Sequence, residues 1–487
     1  MIIDSNGMRA LEAASGLPVS ELMEKAGLAA ADAIRKELPA GSRILILAGS
    51  GNNGGDGFVI CRALDEYKCR VMLVDGMPKT EEALANYQLL PSDRIVRSSR
   101  LKSELRKADA VIDAVYGFGY HGELKPEIRR IFRTVNESDV PVYSIDINSG
   151  CEADSDRYDK DALRSRITYA LDCYKPAHML RKETGVAKEV RLLGLGLPHD
   201  QATRYPEMNE EIFFQNFPHR SEAMHKNTFG HTLIVGGCYG MAGAVSLNIL
   251  GARTVGAPYI ECALPESIYP IVASKHMTAV FHPFAEHTVE QVVEPLSRKA
   301  KAIVFGSGAV YMDRKEQCMD MILQSSTCPV ILDAEALRML HQNTYILRFI
   351  KCPLILTPHL GEFASLINKP IDVIRDNKLD YAVAFAKENK VIMVLKGANT
   401  IVASPFGEVY INQTGNAALA QAGSGDLLAG IIAGMLTMTT DIYTAVCMAV
   451  WLHGHLADIG LETQSMQGFS LASYPQLMDE LFRKHGF

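Results

Sequence analysis

Residues 44–60 read ILILAGSGNNGGDGFVI, and the fold turns on how the middle of that stretch is read. Gly49, Gly51 and Gly54 satisfy a G-x-G-x-x-G spacing between an apolar, strand-like run and a helix-like segment. Asp75 closes the next apolar run, RVMLVDG, which completes the outline of a dinucleotide-binding fingerprint. The loop also carries Asn52, Asn53 and Asp56, however, and a carboxylate at a helix start is a poor neighbour for a pyrophosphate. Amide and carboxylate oxygens are hard donors that suit a cation. Asparagine also tolerates the left-handed backbone that a tight loop demands. A cation on Asn53 and Asp113 would bridge the loop to a phosphate or sugar.

Outward from this loop, short apolar runs alternate with amphipathic ones. RILILA, RVMLVD, ADAVIDAVYG, VPVYSIDINSG, ITYALDCY and VRLLGLGLP are the strand candidates of the first part. Such alternation predicts βαβ units and a parallel sheet covered on both faces. Residues 8–38 carry helical periodicity, with Ser20 expected to cap the second segment. A polar stretch after Pro198 holds the expected boundary, near 205–212. Beyond it HTLIVGG, APYIECALP, AIVFGSG, PVILDAE, PLILTPH and VIMVLKG predict a second α/β domain, with a hairpin around Phe406-Gly407.

The bulk numbers agree with two α/β domains. The chain has 487 residues, 48% of them apolar and 22% charged, and a net charge of −7. That balance argues against nucleic acid and a membrane surface as partners. Ten cysteines without C-x-x-C or metal-ligand spacing predict reduced, buried thiols and a cytoplasmic protein. The opening residues lack the basic and apolar regions of a signal peptide. LLAGIIAGML, from Leu427, is too short for a membrane span and reads as a buried helix.

Three runs of the first part end in aspartate, at Asp75, Asp113 and Asp146. Beyond the carboxyl ends of parallel strands such residues converge on a ligand crevice. This part resembles the NAD(P)H-hydrate epimerases, through ELMEKAG, GSGNNGGDGFVICRAL, DAVYGFG and DINSG. The resemblance implies a Rossmann-like three-layer domain over 1–207 that binds a damaged dinucleotide as substrate. It implies substrate contacts at Asn52, Asn53, Gly54, Gly55 and Asp56, and at Gly117, Phe118, Gly119, Tyr120, His121, Gly122 and Glu123. Asp146 would sit at the nicotinamide end as acid or base, with Lys175 as second candidate, and Asn53, Asp113 and Ser149 would hold potassium. Asn148 departs from the family, which usually has proline there.

The sharpest signal of the second part is QAGSGDLLAGIIAGML, residues 421–436. Gly423 and Gly425 let backbone N–H groups approach an anion, and the following helix directs its positive end there. Asp426, at the helix start, is expected to be held ionised as a base. No Walker A sequence occurs, so Lys396, Gly397 and Thr400 are the expected phosphate contacts. With VFGSG, ILDAEAL, LTPHLGEFASLI and LKGANTIV, this part resembles the ADP/ATP-dependent NAD(P)H-hydrate dehydratases of the ribokinase-like superfamily. The resemblance implies a ribokinase-like domain over 212–487, with substrate contacts at Ala244, Gly308, His359 and Asp426. The nucleotide, ADP or ATP with magnesium, would lie on Lys396, Gly397, Ala398, Asn399, Thr400, Gly423 and Gly425. Departures are Asn227, where glycine is usual, and the loop Gly306 to Val310.

Together the two resemblances imply repair of hydrated NADH and NADPH. The first domain would interconvert the R and S hydrates (NADHX and NADPHX), and the second would dehydrate the S form with release of phosphate and AMP or ADP. A homo-oligomer is expected. An NAD-dependent oxidoreductase would leave the GSGD loop idle, and a vitamin-precursor kinase would leave GNNGGDG unexplained. A non-catalytic nucleotide-binding protein would show neither turnover.

Overall fold

The computed structural model describes residues 1–180, 184–199, 203, 205–222, 229–341 and 343–487; Asn227 lies outside them. The chain divides into two compact units, Met1–Tyr205 and Pro206–Phe487.

The first unit is built on seven parallel strands: β1 (Arg43–Ala48), β2 (Lys68–Leu73), β3 (Ile95–Val96), β4 (Ala110–Ala114), β5 (Val142–Ile145), β6 (Ser165–Leu171) and β7 (Ala187–Leu193). They stand in the order β3-β2-β1-β4-β5-β6-β7. Side chains alternate across a strand. Ile44, Ile46 and Ala48 therefore meet the helices Val19–Glu37 and Asn52–Ala63 on one face. Leu45 and Leu47 meet the helix Pro126–Asn136 on the other. Two local expectations are corrected. The helix Val19–Glu37 starts directly after Pro18 with no side-chain cap, so Ser20 lies inside its first turn. Asn52 and Asn53 open the helix Asn52–Ala63, and no non-glycine residue of that loop has positive φ.

The glycines of the loop are needed for close approach instead. A Cβ at Gly49 would stand 1.9 Å from the Val115 carbonyl oxygen, and one at Gly54 2.1 Å from that of Gly49. Only hydrogen fits at either position.

Among the described residues the second unit carries nine strands: β8 (Thr232–Val235), β9 (Ile260–Pro265), β10 (Val280–Phe284), β11 (Ala302–Phe305), β12 (Val330–Leu332), β13 (Leu354–Leu356), β14 (Ile392–Leu395), β15 (Ile401–Ala403) and β16 (Val409–Ile411). Their order is β10-β9-β8-β11-β12-β13-β14-β15-β16. The last two pair antiparallel as the hairpin around Phe406-Gly407, and β15 also runs antiparallel to β14. Strand β10 escapes the sequence reading because Pro283 lies within it, which an edge strand tolerates. The helix Ser424–Met438 is buried over most of its length. Ile442–Gly460 is, among the described residues, the one helix long and apolar enough to cross a membrane. It lies within the core of this unit, where the Trp451 ring packs tilted against Phe213, with centroids 5.2 Å apart.

Strand order reverses at β1/β4 in one sheet and at β8/β11 in the other. Ligand crevices of open α/β sheets lie beyond the carboxyl ends of the strands at such a reversal. Both glycine-rich loops fall there.

Candidate functional site

Beyond β1 and β4 opens a cavity of about 820 Å³, lined among others by Arg9, Glu12, Asn53, Asp56, Phe118 and Asp146. Asp146 has φ +64°, a conformation rare for a non-glycine residue and characteristic of functional loops. Its Oδ2 accepts from Phe118 N at 2.7 Å and its Oδ1 from Lys175 Nζ at 2.8 Å. Lys175 is fully buried and donates again to the Leu171 carbonyl at 2.9 Å. His178 accepts the Lys175 N–H on Nδ1, which assigns the Nε2–H that contacts the Asp146 carbonyl at 2.7 Å. Burial, then Asp146 and Glu12, push Asp56 well above the usual carboxylate range. Burial, then Asp146, also raise Glu12. Three carboxyl groups thus face one cavity, Glu12 and Asp56 with raised pKa values and Asp146 backed by the buried Lys175.

The three residues expected to hold a cation behave differently from one another. Asn53 is buried, and both polar atoms of its amide lack a hydrogen-bond partner. Asp113 is fully buried and accepts from Ser149 Oγ and Val115 N on Oδ1, and from Ser144 Oγ and Ser149 N on Oδ2. Ser149 Oγ also accepts from Tyr116 N at 2.8 Å. Asn53 is therefore the one of the three with open polar atoms; Asp113 and Ser149 are bonded to each other and to their neighbours, and neither lines the cavity. Asn148 donates to the Leu163 and Val186 carbonyls and to Ser165 Oγ, and accepts from Thr168. A proline there could make none of these bonds.

In the second unit the loop after β8 rests on the loop after β11, with Gly237 N donating to the Ser307 carbonyl at 2.9 Å. A Cβ at Gly308 would approach Ala244 Cβ to 2.9 Å. His359 bridges in parallel to Lys396 and caps the helix Leu360–Leu366 through Nδ1. Lys396 Nζ donates to Asp333 Oδ1 at 2.9 Å and lies 3.0 Å from where a Cβ of Gly425 would stand. Burial opposes the charge on Lys396, but Asp333, Glu362 and Asp426 outweigh it and raise its pKa. Gly423 takes φ +92° at the head of the helix Ser424–Met438, a turn that glycine alone makes easily.

Asp426 departs from its expected electrostatics. The helix terminus favours its charged form, but burial and then Asp333 push it up to about 6, with Lys396 pulling the other way. A carboxyl group with a pKa in that range is suited to proton transfer near neutral pH.

The cavity takes in Asn52, Asn53, Asp56, Gly117 to His121 and Asp146, but not the other expected contacts. Gly54 packs on Gly49 and Gly55 on Met23. Gly122 N donates to Glu152, and Glu123 pairs with Arg129 at 3.2 Å. Near Lys396, Gly397 and Ala398 are exposed, while Asn399 is buried and donates to the Asn412 carbonyl. Thr400 Oγ1 folds back on Gly397. Asp333 and Glu12 were missed as site residues. Asp333 follows β12 at a strand end like Asp113, which was the available signal; Glu12 sits in a helix and gave none.

A glycine-led helix with a half-buried lysine paired to a buried carboxylate, at the reversal point of an α/β sheet, defines a nucleotide-dependent enzyme of ribokinase-like fold, joined to a Rossmann-like dinucleotide pocket. The family model described as NAD(P)H-hydrate dehydratase matches residues 232–475, and that described as YjeF-related protein N-terminus matches 19–177. The bifunctional NAD(P)H-hydrate repair enzyme of Moorella thermoacetica is 30% identical, over 91% of this chain and 88% of its own length. That of Gloeobacter violaceus is 31% identical, over 90% and 89%. The Bacillus subtilis ADP/ATP-dependent NAD(P)H-hydrate dehydratase, co-crystallised with ATP and Mg2+, superposes with a TM-score of 0.52 at 30% identity, covering 58% of this chain and 99% of that one. The chain belongs to the bifunctional NAD(P)H-hydrate repair enzymes.

Proposed function

We propose that the first unit, as an epimerase domain over 1–207, interconverts the R and S hydrates of NADH and NADPH. The second, as a dehydratase domain over 212–487, restores NAD(P)H from the S form with ADP or ATP. The observation that carries the reading is the second crevice, where Asp426, raised to about 6, faces the half-buried Lys396 and its buried partner Asp333. The hydrate carries a hydroxyl on C6 of its nicotinamide ring, and hydroxide leaves poorly. Asp426 takes the proton of that hydroxyl as its oxygen attacks the terminal phosphoryl group of the nucleotide, releasing AMP or ADP. Lys396 and the backbone N–H groups at Gly423 and Gly425 stabilise the charge that develops on the phosphoryl oxygens. The ring nitrogen lone pair then expels phosphate, and loss of a C5 proton closes the ring double bond. Magnesium, which accompanies ATP in the Bacillus subtilis relative, would neutralise phosphate charge.

In the first unit, epimerisation requires the C6 hydroxyl to leave and return on the opposite face. Asp146 and Lys175 are assigned the proton transfers, since Asp146 lines the cavity and Lys175, buried behind it, pairs with its carboxylate. Asn52, Asn53, Asp56 and Gly117 to His121 are assigned to the dinucleotide. Potassium fits the unsatisfied amide of Asn53, with Asp113 and Ser149 completing its surroundings. On the second unit Ala244, Gly308 and His359 are assigned to the hydrate, and Lys396, Gly397, Ala398, Gly423 and Gly425 to the nucleotide. A cytoplasmic setting fits ten buried cysteines without a disulfide, and exposed Met277, Phe349 and Phe406 fit a homo-oligomer.

Incubation with mixed NADHX epimers tests the reading. With ADP or ATP the NADH absorbance should return completely. Recovery without nucleotide, or a stable phosphorylated product in place of NADH, would overturn it.

A further inference from the structure

A separate cluster stands at the end of β6, outside both sets of reacting groups. Asp172 takes φ +57°, and Cys173 N donates back to the Leu171 carbonyl at 2.7 Å. Successive side chains of an extended strand point to opposite faces. The left-handed step at Asp172 breaks that alternation and turns both side chains toward one atom, Nε2 of His199, on the segment after β7. Asp172 Oδ2 lies 2.7 Å from it and Cys173 Sγ 3.8 Å, while the sulfur and Oδ2 are 4.0 Å apart. The other carboxylate oxygen accepts from Leu195 N at 2.7 Å, which fixes the group. Asp172 and Cys173 are buried; the His199 side chain, 39% exposed, covers them.

We propose that Asp172, Cys173 and His199 bind a divalent transition metal of the zinc class. A nucleophilic triad places its thiol or hydroxyl and its carboxylate on different ring nitrogens. Here both address Nε2, which carries at most one hydrogen and cannot serve the two in turn as donor and acceptor. A metal ion satisfies three converging donors together. Zinc bonds of about 2.0–2.3 Å set tetrahedral donors roughly 3.3–3.5 Å apart. Binding thus requires the Asp172–His199 contact to open by roughly 0.6 Å and the sulfur to close in by roughly 0.3–0.5 Å on that geometry. Thiolate and imidazole donors select zinc, cobalt or copper over magnesium and potassium. The exposed side leaves a fourth position to water. Leu171, Leu195 and Leu197, which flank the three donors in sequence, line the large cavity. The metal would therefore strap the segment after β7 to the cavity wall.

Cobalt(II) titrated into the reduced, metal-free full chain tests the site without reference to activity. One equivalent should produce thiolate-to-cobalt charge-transfer absorption in the near ultraviolet and the visible bands of a tetrahedral ion, both displaced by zinc. His199→Ala, at a partly exposed position that leaves the fold intact, should abolish the charge-transfer band, and so should Cys173→Ser. Cys352→Ser, at a buried thiol elsewhere, should leave it unchanged. Absence of a thiolate band at one equivalent overturns the proposal. So does a band that survives in folded His199→Ala.

Discussion

Asp426 shows at the scale of one residue how function and stability oppose each other. Its folded pKa of about 6 stands against an ordinary value of 3.8, so the native state binds its proton more tightly than the unfolded chain. Its contribution is fully present below the ordinary value and is lost as pH rises through about 6. At neutral pH the ionised group therefore strains the fold. Asp426→Asn should lower nucleotide-dependent repair by about 10²–10⁴-fold while leaving nucleotide binding intact. It should also raise the unfolding free energy from urea titration at neutral pH by about 1–2 kcal/mol, a gain that vanishes in acid. Wild-type turnover should rise with pH through about 6 and then level. Near-normal turnover in the variant would remove Asp426 from the mechanism. Asn53 makes the complementary case. Its amide has no partner to lose, so Asn53→Ala should leave thermal stability unchanged and abolish potassium activation of epimerisation. Potassium activation equal to that of the parent would refute the cation assignment. Asp113→Ala is the poorer probe, because it strands four buried donors.

Between elements, the position of Asp426 depends on two helices that approach without side chains in the way. A Cβ at Gly430, in Ser424–Met438, would stand 2.1 Å from the Asn248 carbonyl oxygen. One at Gly251, in Ala242–Thr254, would stand 2.2 Å from that of Leu427. Across this contact Asn248 Nδ2 donates to the Asp426 carbonyl at 2.7 Å. Gly430→Ala must push the helices apart and carry the base with them. It should destabilise the second unit by about 1–3 kcal/mol, as overpacking does, and lower kcat more than it raises the nucleotide KM. Unchanged kcat in a variant that is measurably destabilised would separate this contact from catalysis. The apolar run at 427–436 announced a buried helix, but its partner could not be read, because a glycine records only that something comes close.

For the whole molecule, each unit has its own sheet and its own buried apolar clusters. Residues 1–207 and 212–487 should therefore fold when expressed separately. The first fragment should interconvert the epimers without nucleotide. The second should consume the S form, stop when it is exhausted, and resume when the first fragment is added. Rapid consumption of both epimers by the second fragment alone, beyond their spontaneous interconversion, would end this division of labour.

The sequence alone determined what depends on local pattern. Alternating apolar and amphipathic runs specified one parallel and one mostly parallel α/β sheet, because strands buried on both faces must be apolar throughout. The loops at Gly49–Asp56 and Gly423–Asp426 were legible for a similar reason: close backbone approach leaves glycine in a row. Tertiary structure alone decided what depends on neighbours distant in sequence. Asp75, Asp113 and Asp146 look alike as strand-end aspartates. Yet Asp75 pairs with Lys125 at 2.6 Å, Asp113 is saturated by four donors, and only Asp146 lines the cavity. Asp333 acquires its place from Lys396, and Asp426 its raised pKa from burial and Asp333. Desolvation and Coulomb interactions act through space, so no window of sequence contains them.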